Sequence, residues 1–478
     1  VLLEKRAAFR NGTVLSAMLA SAMKSRVRLG GLVGLAVLLT GGVVFAAEQA
    51  SLAAADEVLQ QMSAILKLPV IHPLKKSVRS REEIRQYLMR EQQQENESKR
   101  YADARALEAF GLLPHGFDLD GFLLRLLTEQ VAGLYDPRAQ EFYIADWIPA
   151  EQQRTVMAHE LTHALQDQHF HLRQWMHAAR PNDDAEAARQ AVVEGSAVAA
   201  MLDYELRGLG RSVTDLPDLE PLISSVTGEA VRSPELSAAP PYLRAALLFP
   251  YLQGAVFTQA VLKARGGWAG FVAVFARPPV STREILHPEL YLQGGGVVEP
   301  VRLPAARRWR PRGWELLDEN VVGEFNLRQI LAQAGDSRRA EDLAAGWRGD
   351  RYAILENKRK EHPLLVWRLR LAGDGVGQQF FDLYASILKN RYRTWREQAS
   401  APGFLEMASG DLEVVLWCRQ SECLTYQEGP VGGFEKLIGA LHWPVPQAET
   451  VRFSSMQKVE RKAVCGGGGP YPVFPNRK

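Results

Sequence analysis

Cysteine is scarce in this chain: 478 residues carry three, Cys418, Cys423 and Cys465. That count excludes a disulfide-dense scaffold, and none of the three has a partner at zinc-ligand spacing near a histidine motif. Cys418 and Cys423 are close enough in sequence to staple a hairpin, which leaves Cys465 odd. A basic excess is missing as well. Residues 1–47 hold six Lys/Arg and a single acid, Glu4, so the remainder carries 51 basic against 54 acidic residues. No basic domain exists, and nucleic acid is not an expected partner. The 46% hydrophobic and 23% charged composition is that of a globular protein, long enough for two or three domains.

A long uninterrupted apolar run is also absent. The strongest, from 29 to 45, is short for a membrane span and contains Gly30, Gly31, Gly34, Gly41 and Gly42. Lys24, Arg26 and Arg28 precede it, and Ala46-Ala47 close it before Glu48. Basic flank, apolar stretch and small-residue end form the order of a secretory signal over 23–47. Met23 directly precedes Lys24, so translation is expected to start there, with residues 1–22 an extension. The expectation is an exported protein, periplasmic or extracellular. The competing reading keeps residues 29–45 as an anchor and makes the membrane a partner.

What the chain does carry is Val156-Met157-Ala158-His159-Glu160-Leu161-Thr162-His163-Ala164-Leu165. It is H-E-x-x-H inside an apolar stretch free of Gly and Pro, and its Ala, Leu, Met and Glu favour a helix. His159 and His163, four residues apart, lie on one helical face and can converge on one metal ion. Glu160 lies about 100° further round. There its carboxylate can take a proton from water activated by that ion.

The coarse pattern around this motif is mixed. Helical spacing covers 52–66, 80–110 (opened by the capping-box pattern Ser80-Arg81-Glu82-Glu83) and 117–127. Then the period changes, and 130–135 with 141–144 read as a β-hairpin about a turn at Asp136-Pro137. Pro149 opens the histidine helix, which runs to about Gln168. A second helix follows from about 185 to 206, capped by the Pro181-Asn182-Asp183-Asp184 run, and a third apolar one spans 241–275, broken at Gly266-Gly267. Residues 211–240 read as a loop or lid. A Gly/Pro-rich connection at 294–313 suggests a domain boundary. Beyond it, helices at 323–334, 339–346, 378–392 and 433–441 alternate with strands at 351–355, 364–371, 412–417 and 423–427, an α+β pattern with an antiparallel sheet.

A catalytic zinc takes three protein ligands, and two residues compete to be the third. His169 stands six after His163, the metzincin spacing. That pattern needs a glycine to turn the chain, and the position is Gln166, so a continuing helix carries His169 about 240° away. Glu194 lies 31 residues downstream on the second helix. Val192-Val193 and Gly195-Ser196-Ala197 around it are apolar or small, so its charge should be paired or coordinated.

His159-Glu160-Leu161-Thr162-His163-Ala164-Leu165-Gln166-Asp167 followed by Glu194-Gly195-Ser196-Ala197 resembles the gluzincin clan of zinc metallopeptidases, and most of all exported bacterial proteins with this extended histidine motif. The resemblance covers roughly 120–300, and Gly346-Trp347-Arg348-Gly349-Asp350-Arg351-Tyr352 looks similar to the same proteins. It implies a zincin-like α+β fold, zinc on His159, His163 and Glu194, and Glu160 as general base. It also implies an edge strand near 141–145 along which a peptide lies. Thermolysin-like members place an Asp four residues after the ligand Glu to orient a histidine. Here that position is Val198; Asp167, one turn after His163, is either the substitute or a solvated helix carboxylate. Members also use a Tyr or His on the oxyanion, for which Tyr251 and His287 are the candidates.

The resulting division is an N-terminal helical segment over 48–115, a zincin-like domain over 116–300, an α+β domain over 301–465 and a flexible tail over 466–478. The expected activity is hydrolysis of a peptide or protein substrate. Two alternatives stand beside it: a non-catalytic metal-binding protein on the same scaffold, and a zinc hydrolase of non-peptide amides such as cell-wall material. An intact Glu160 speaks against the first. Two decoys are set aside. Gly373-Asp374-Gly375-Val376-Gly377 lacks the third glycine of a dinucleotide loop and any Walker lysine, so a turn is expected. Arg307-Arg308-Trp309-Arg310-Pro311-Arg312 reads as a solvated linker.

Overall fold

The structure is a computed structural model that describes residues 40–94, 96–130, 133–148, 150–219, 234–296 and 298–443. The basic flank and most of the apolar run expected before residue 48 lie outside the described residues, as do Cys465 and the tail. The chain is α+β. It divides into two compact units, Val1–Val298 with Asn320–Ile330, and Glu299–Glu319 with Leu331–Lys478.

Unit 1 is mostly helical. Helix α1 spans Thr40–Leu66, longer at its start than the expected 52–66. The single charged helix expected over 80–110 is two, α2 (Arg81–Gln94) and α3 (Glu97–Ala109). Asn96 separates them: its backbone is extended and its side chain accepts the Lys99 amide at 3.1 Å, an N-cap that asparagine fills better than a helix interior. Helix α4 spans Leu119–Gln130. Strands β2 (Gly133–Asp136) and β3 (Glu141–Ala145) form the hairpin, and Asp136 Oδ1 accepts the Arg138 amide at 2.7 Å in its turn.

A strand that the pattern did not announce, β1 (Lys75–Arg79), pairs in parallel with β3. Its Lys-Lys-Ser-Val-Arg sequence has no apolar alternation. The order is β1-β3-β2, so Glu141–Ala145, expected to be an edge, is the central strand. Among the described residues β1 and β2 are the two edges instead.

Helix α5 (Ala150–Phe170) carries the histidines, and short α6 (Leu172–His177) follows. Next come α7 (Asp183–Leu206), capped by Asn182, and α8 (Pro241–Arg265), ended by Gly266 in the left-handed region. Every residue from Thr155 to Gln168 is buried. Met157, Leu161, Ala164 and Leu165 pack with Ala54, Val58 and Met62 of α1 and with Phe142 and Ile144 of β3. His159, His163 and Gln166 stand about 200° round the helix from that face. Helices α7 and α8 cross against each other through the largest apolar cluster of the unit, which includes Val192, Val198, Tyr251, Ala255 and Phe257.

Unit 2 is built on a seven-stranded sheet in the order β4-β5-β6-β10-β9-β8-β7. The strands are β4 (Trp314–Asn320), β5 (Trp347–Asn357), β6 (Leu364–Leu371), β7 (Arg396–Ala401), β8 (Phe404–Ser409), β9 (Leu412–Arg419) and β10 (Glu422–Pro430). Three of these, β4, β7 and β8, were not expected. A helix over Asp374–Arg391 sets Phe380 and Tyr384 edge-on to Trp367. It starts at Asp374, so the Gly373–Gly377 stretch is a helix opening rather than a turn. Cys418 and Cys423 form a disulfide between β9 and β10.

Candidate metal centre

Polar side chains on a helix buried all round need partners, and most on α5 have one. Thr162 Oγ1 donates to the Ala158 carbonyl at 2.8 Å, and Gln168 bridges the Ile71 amide and the His72 carbonyl. Gln166 Nε2 donates to Ser196 Oγ on α7 at 2.8 Å. Asp167 accepts the Tyr135 hydroxyl and the Leu172 amide, each at 2.8 Å. Asp167 therefore does not orient a histidine. His169 turns its Nε2 to the Pro69 carbonyl at 2.8 Å, away from the other two histidines.

His159, His163 and Glu194 come together. The two Nε2 atoms lie 3.1 Å apart, and Glu194 Oε2 is 3.4 Å from each. Those last distances exceed the usual N–H···O range of about 2.7–3.2 Å. They match another geometry: an ion about 2.0–2.1 Å from each ligand separates tetrahedral ligand atoms by about 3.3–3.4 Å. Two imidazole nitrogens and one carboxylate oxygen are also the donor set of a catalytic zinc site. On distance, chemistry and burial, the residues present fit zinc.

The electrostatics follow from burial and proximity. Burial holds the His159 ring neutral, its pKa down at about 4. Burial alone would raise the Glu194 carboxyl, but the charge of His163 and hydrogen bonding from both imidazoles bring it down to about 2. For His163 burial is the largest single influence and opposes protonation, yet the charge and hydrogen bonding of Glu194, with smaller help from Glu160 and Gln166, together outweigh it and the pKa rises.

Glu160, one residue past the first histidine, is 2% exposed, and its Oε2 accepts the Tyr135 amide of edge strand β2 at 3.1 Å. Tyr251 of α8 is fully buried, with its ring stacked on His159 at 6.2 Å between centroids and 25° between planes. Its hydroxyl makes no hydrogen bond of good geometry. Burial first, then the charges of Glu194 and Glu160, push its pKa well above the usual phenol value. Such a group is a neutral donor beside the cluster. His287 is not brought there: its side chain bonds Glu324 at 2.6 Å, which raises its pKa, and Glu324 also pairs with Arg283 at 2.7 Å.

The helix crossing that sets Glu194 against Tyr251 is closer than any side chain allows. A Cβ on Gly254 would sit 2.1 Å from the Ala191 carbonyl oxygen. The sequence assigned no role to Tyr135, which lies in the hairpin, or to Ser196, which stands in the Glu194-Gly195-Ser196-Ala197 stretch only as a small neighbour of the glutamate.

Residues 314–425 match a family model described as a domain of unknown function (DUF8575). The matched segment runs from β4 into β10 and contains none of His159, Glu160, His163, Glu194 and Tyr251. No curated protein and no solved structure matches the chain.

Proposed function

We propose that this protein is a zinc-dependent hydrolase that cleaves peptide bonds. The observation that carries the reading is the near-equilateral group of His159 Nε2, His163 Nε2 and Glu194 Oε2, with Glu160 and Tyr251 against it. Zinc held there supplies a Lewis acid that acidifies water and polarises a carbonyl. Glu160, desolvated and anchored on Oε2 by the Tyr135 amide, takes the proton of the attacking water and passes it to the departing amine. Tyr251, kept protonated by its surroundings, donates its hydroxyl to the developing oxyanion. Strand β2, whose own amide holds the base, is the edge on which an extended peptide adds as a further strand.

Export fits this chemistry. The basic-apolar-small order over 23–47 reads as a secretory signal, and a Cys418–Cys423 disulfide suits an oxidising compartment.

The direct test is hydrolysis of a peptide library by the full chain and by a Glu160→Gln variant, both loaded with zinc. Cleavage by the wild type and its loss in the variant support the reading. Equal cleavage by both, or none by either, rejects the peptidase.

A further inference from the structure

A histidine that presents one ring nitrogen to an ion needs the other nitrogen held, because that second bond selects the tautomer and fixes the plane of the ring. Neither carboxylate expected in this role serves: position 198 is a buried valine, and Asp167 is engaged by Tyr135 and Leu172. The residue that stands in the right place is Gln166. It follows His163 by three positions on α5, a spacing that makes side chains neighbours. Its amide orientation is determined from the far side. Gln166 Nε2 donates to Ser196 Oγ at 2.8 Å, and Ser196 Oγ in turn donates to the Val193 carbonyl at 3.0 Å. The hydroxyl hydrogen is thereby used, so the amide meets Ser196 as a donor and keeps Oε1 as its acceptor end.

Gln166 Oε1 and His163 Nδ1 are both buried, and neither makes a hydrogen bond in the structure. One is an obligatory acceptor. The other becomes a donor in the tautomer that leaves Nε2 free.

We propose that Gln166 is the positioning residue of His163: its Oε1 accepts the Nδ1–H, so that Nε2 turns its lone pair toward His159 Nε2 and Glu194 Oε2. This rests on the metal reading above and deepens it. The chain of bonds from His163 through Gln166 and Ser196 ends on Val193, the residue before Glu194. It therefore ties the histidine of α5 to the backbone of α7 beside the third ligand, and sets both with one amide. A glycine at this position, as in the metzincin pattern, would turn the chain; a glutamine orients a ligand instead.

The test compares zinc affinity, by competition with a chromogenic chelator, in full-length wild type, Gln166→Met, Gln166→Glu and Ser196→Ala. The visible spectrum of each cobalt(II)-substituted protein is recorded alongside. Methionine keeps the length without an acceptor, and glutamate restores an acceptor. The expected result is zinc binding weakened about ten- to a hundredfold in Gln166→Met with altered cobalt bands, recovery in Gln166→Glu, and a smaller loss in Ser196→Ala. Wild-type affinity and spectrum in Gln166→Met overturn the inference, as does equal weakening in Gln166→Glu. If Gln166→Met does not fold, Gln166→Glu and Ser196→Ala decide, and weakening by Gln166→Glu beyond Ser196→Ala overturns it. Folded wild type that binds no zinc overturns the metal reading itself, a result distinct from the others.

Discussion

Gly195 of α7 and Gly254 of α8 meet with no room for a side chain between them: a Cβ on Gly195 would lie 1.9 Å from the Gly254 carbonyl carbon. Glu194 stands beside the first glycine and Tyr251 one turn before the second, so this crossing joins the proposed ligand to the proposed donor. Gly195→Ala must push the helices apart. Overpacking of this kind costs about 1–3 kcal/mol, and the displacement acts directly on Glu194. Thermal denaturation should show the loss, and zinc content should fall with it. An unchanged midpoint and unchanged zinc would mean that the crossing does not set the site.

Tyr251→Phe separates catalysis from stability. The hydroxyl has no well-aligned partner in the fold, only loose bonding to Glu194, so its removal should change the melting temperature little. Loss of an oxyanion donor lowers kcat by about a hundred- to a thousandfold. Steady-state kinetics should therefore show a fall in kcat with KM nearly constant. His287→Ala should leave kcat near wild type, because its partner is Glu324.

The choice between those two residues was closed to the sequence. Both are single polar residues in apolar or mixed surroundings, and only the helix crossing brings one of them to His159. The histidine helix and Glu194 were legible because helical period and a charge among apolar neighbours are local signals. The cap at Asn96 was as local, yet an apolar-charged run masked it. Strands β1 and β7 were invisible for a different reason: Lys-Lys-Ser-Val-Arg and Arg-Glu-Gln-Ala-Ser-Ala lie at sheet margins and show no alternation. The edge was misplaced because β1 is distant in sequence from the hairpin it joins. Gln166 was read only as a missing glycine, although its i+3 spacing from His163 was the available sign.

Tyr135 ties the edge strand to α5 at two points, by its amide to Glu160 and by its hydroxyl to Asp167. Tyr135→Phe keeps the first and removes the second, leaving the buried Asp167 with the Leu172 amide and the weaker influence of the Gln140 side chain. Depriving a buried carboxyl of a partner costs about 1–3 kcal/mol. Urea denaturation should show a loss of that order, and zinc content should stay at the wild-type level. A variant as stable as wild type would contradict this anchoring.

Glu413 gives unit 2 a defined pH dependence. Burial raises its carboxyl to about 7, although the Phe434 and Gly432 amides that it accepts work the other way. A carboxyl whose folded pKa lies above its unfolded value holds more protons when folded. Its contribution is present below the unfolded pKa, near 4.5, and is lost as pH rises toward about 7. The stability of wild type relative to Glu413→Gln should therefore decline between those values and level off above. Denaturation of both proteins across pH 4 to 8 measures it, and a difference that grows with pH would refute the assignment.

Zinc content tests the central claim most directly. Mass spectrometry of the metal in purified full-length wild type, His163→Ala, Glu194→Ala and His169→Ala reads the ligand set without any assumption about substrate. The geometry predicts one ion per chain in wild type and in His169→Ala, and loss of the ion in His163→Ala and Glu194→Ala. Folded wild type without zinc, or zinc kept by Glu194→Ala and lost by His169→Ala, would contradict it.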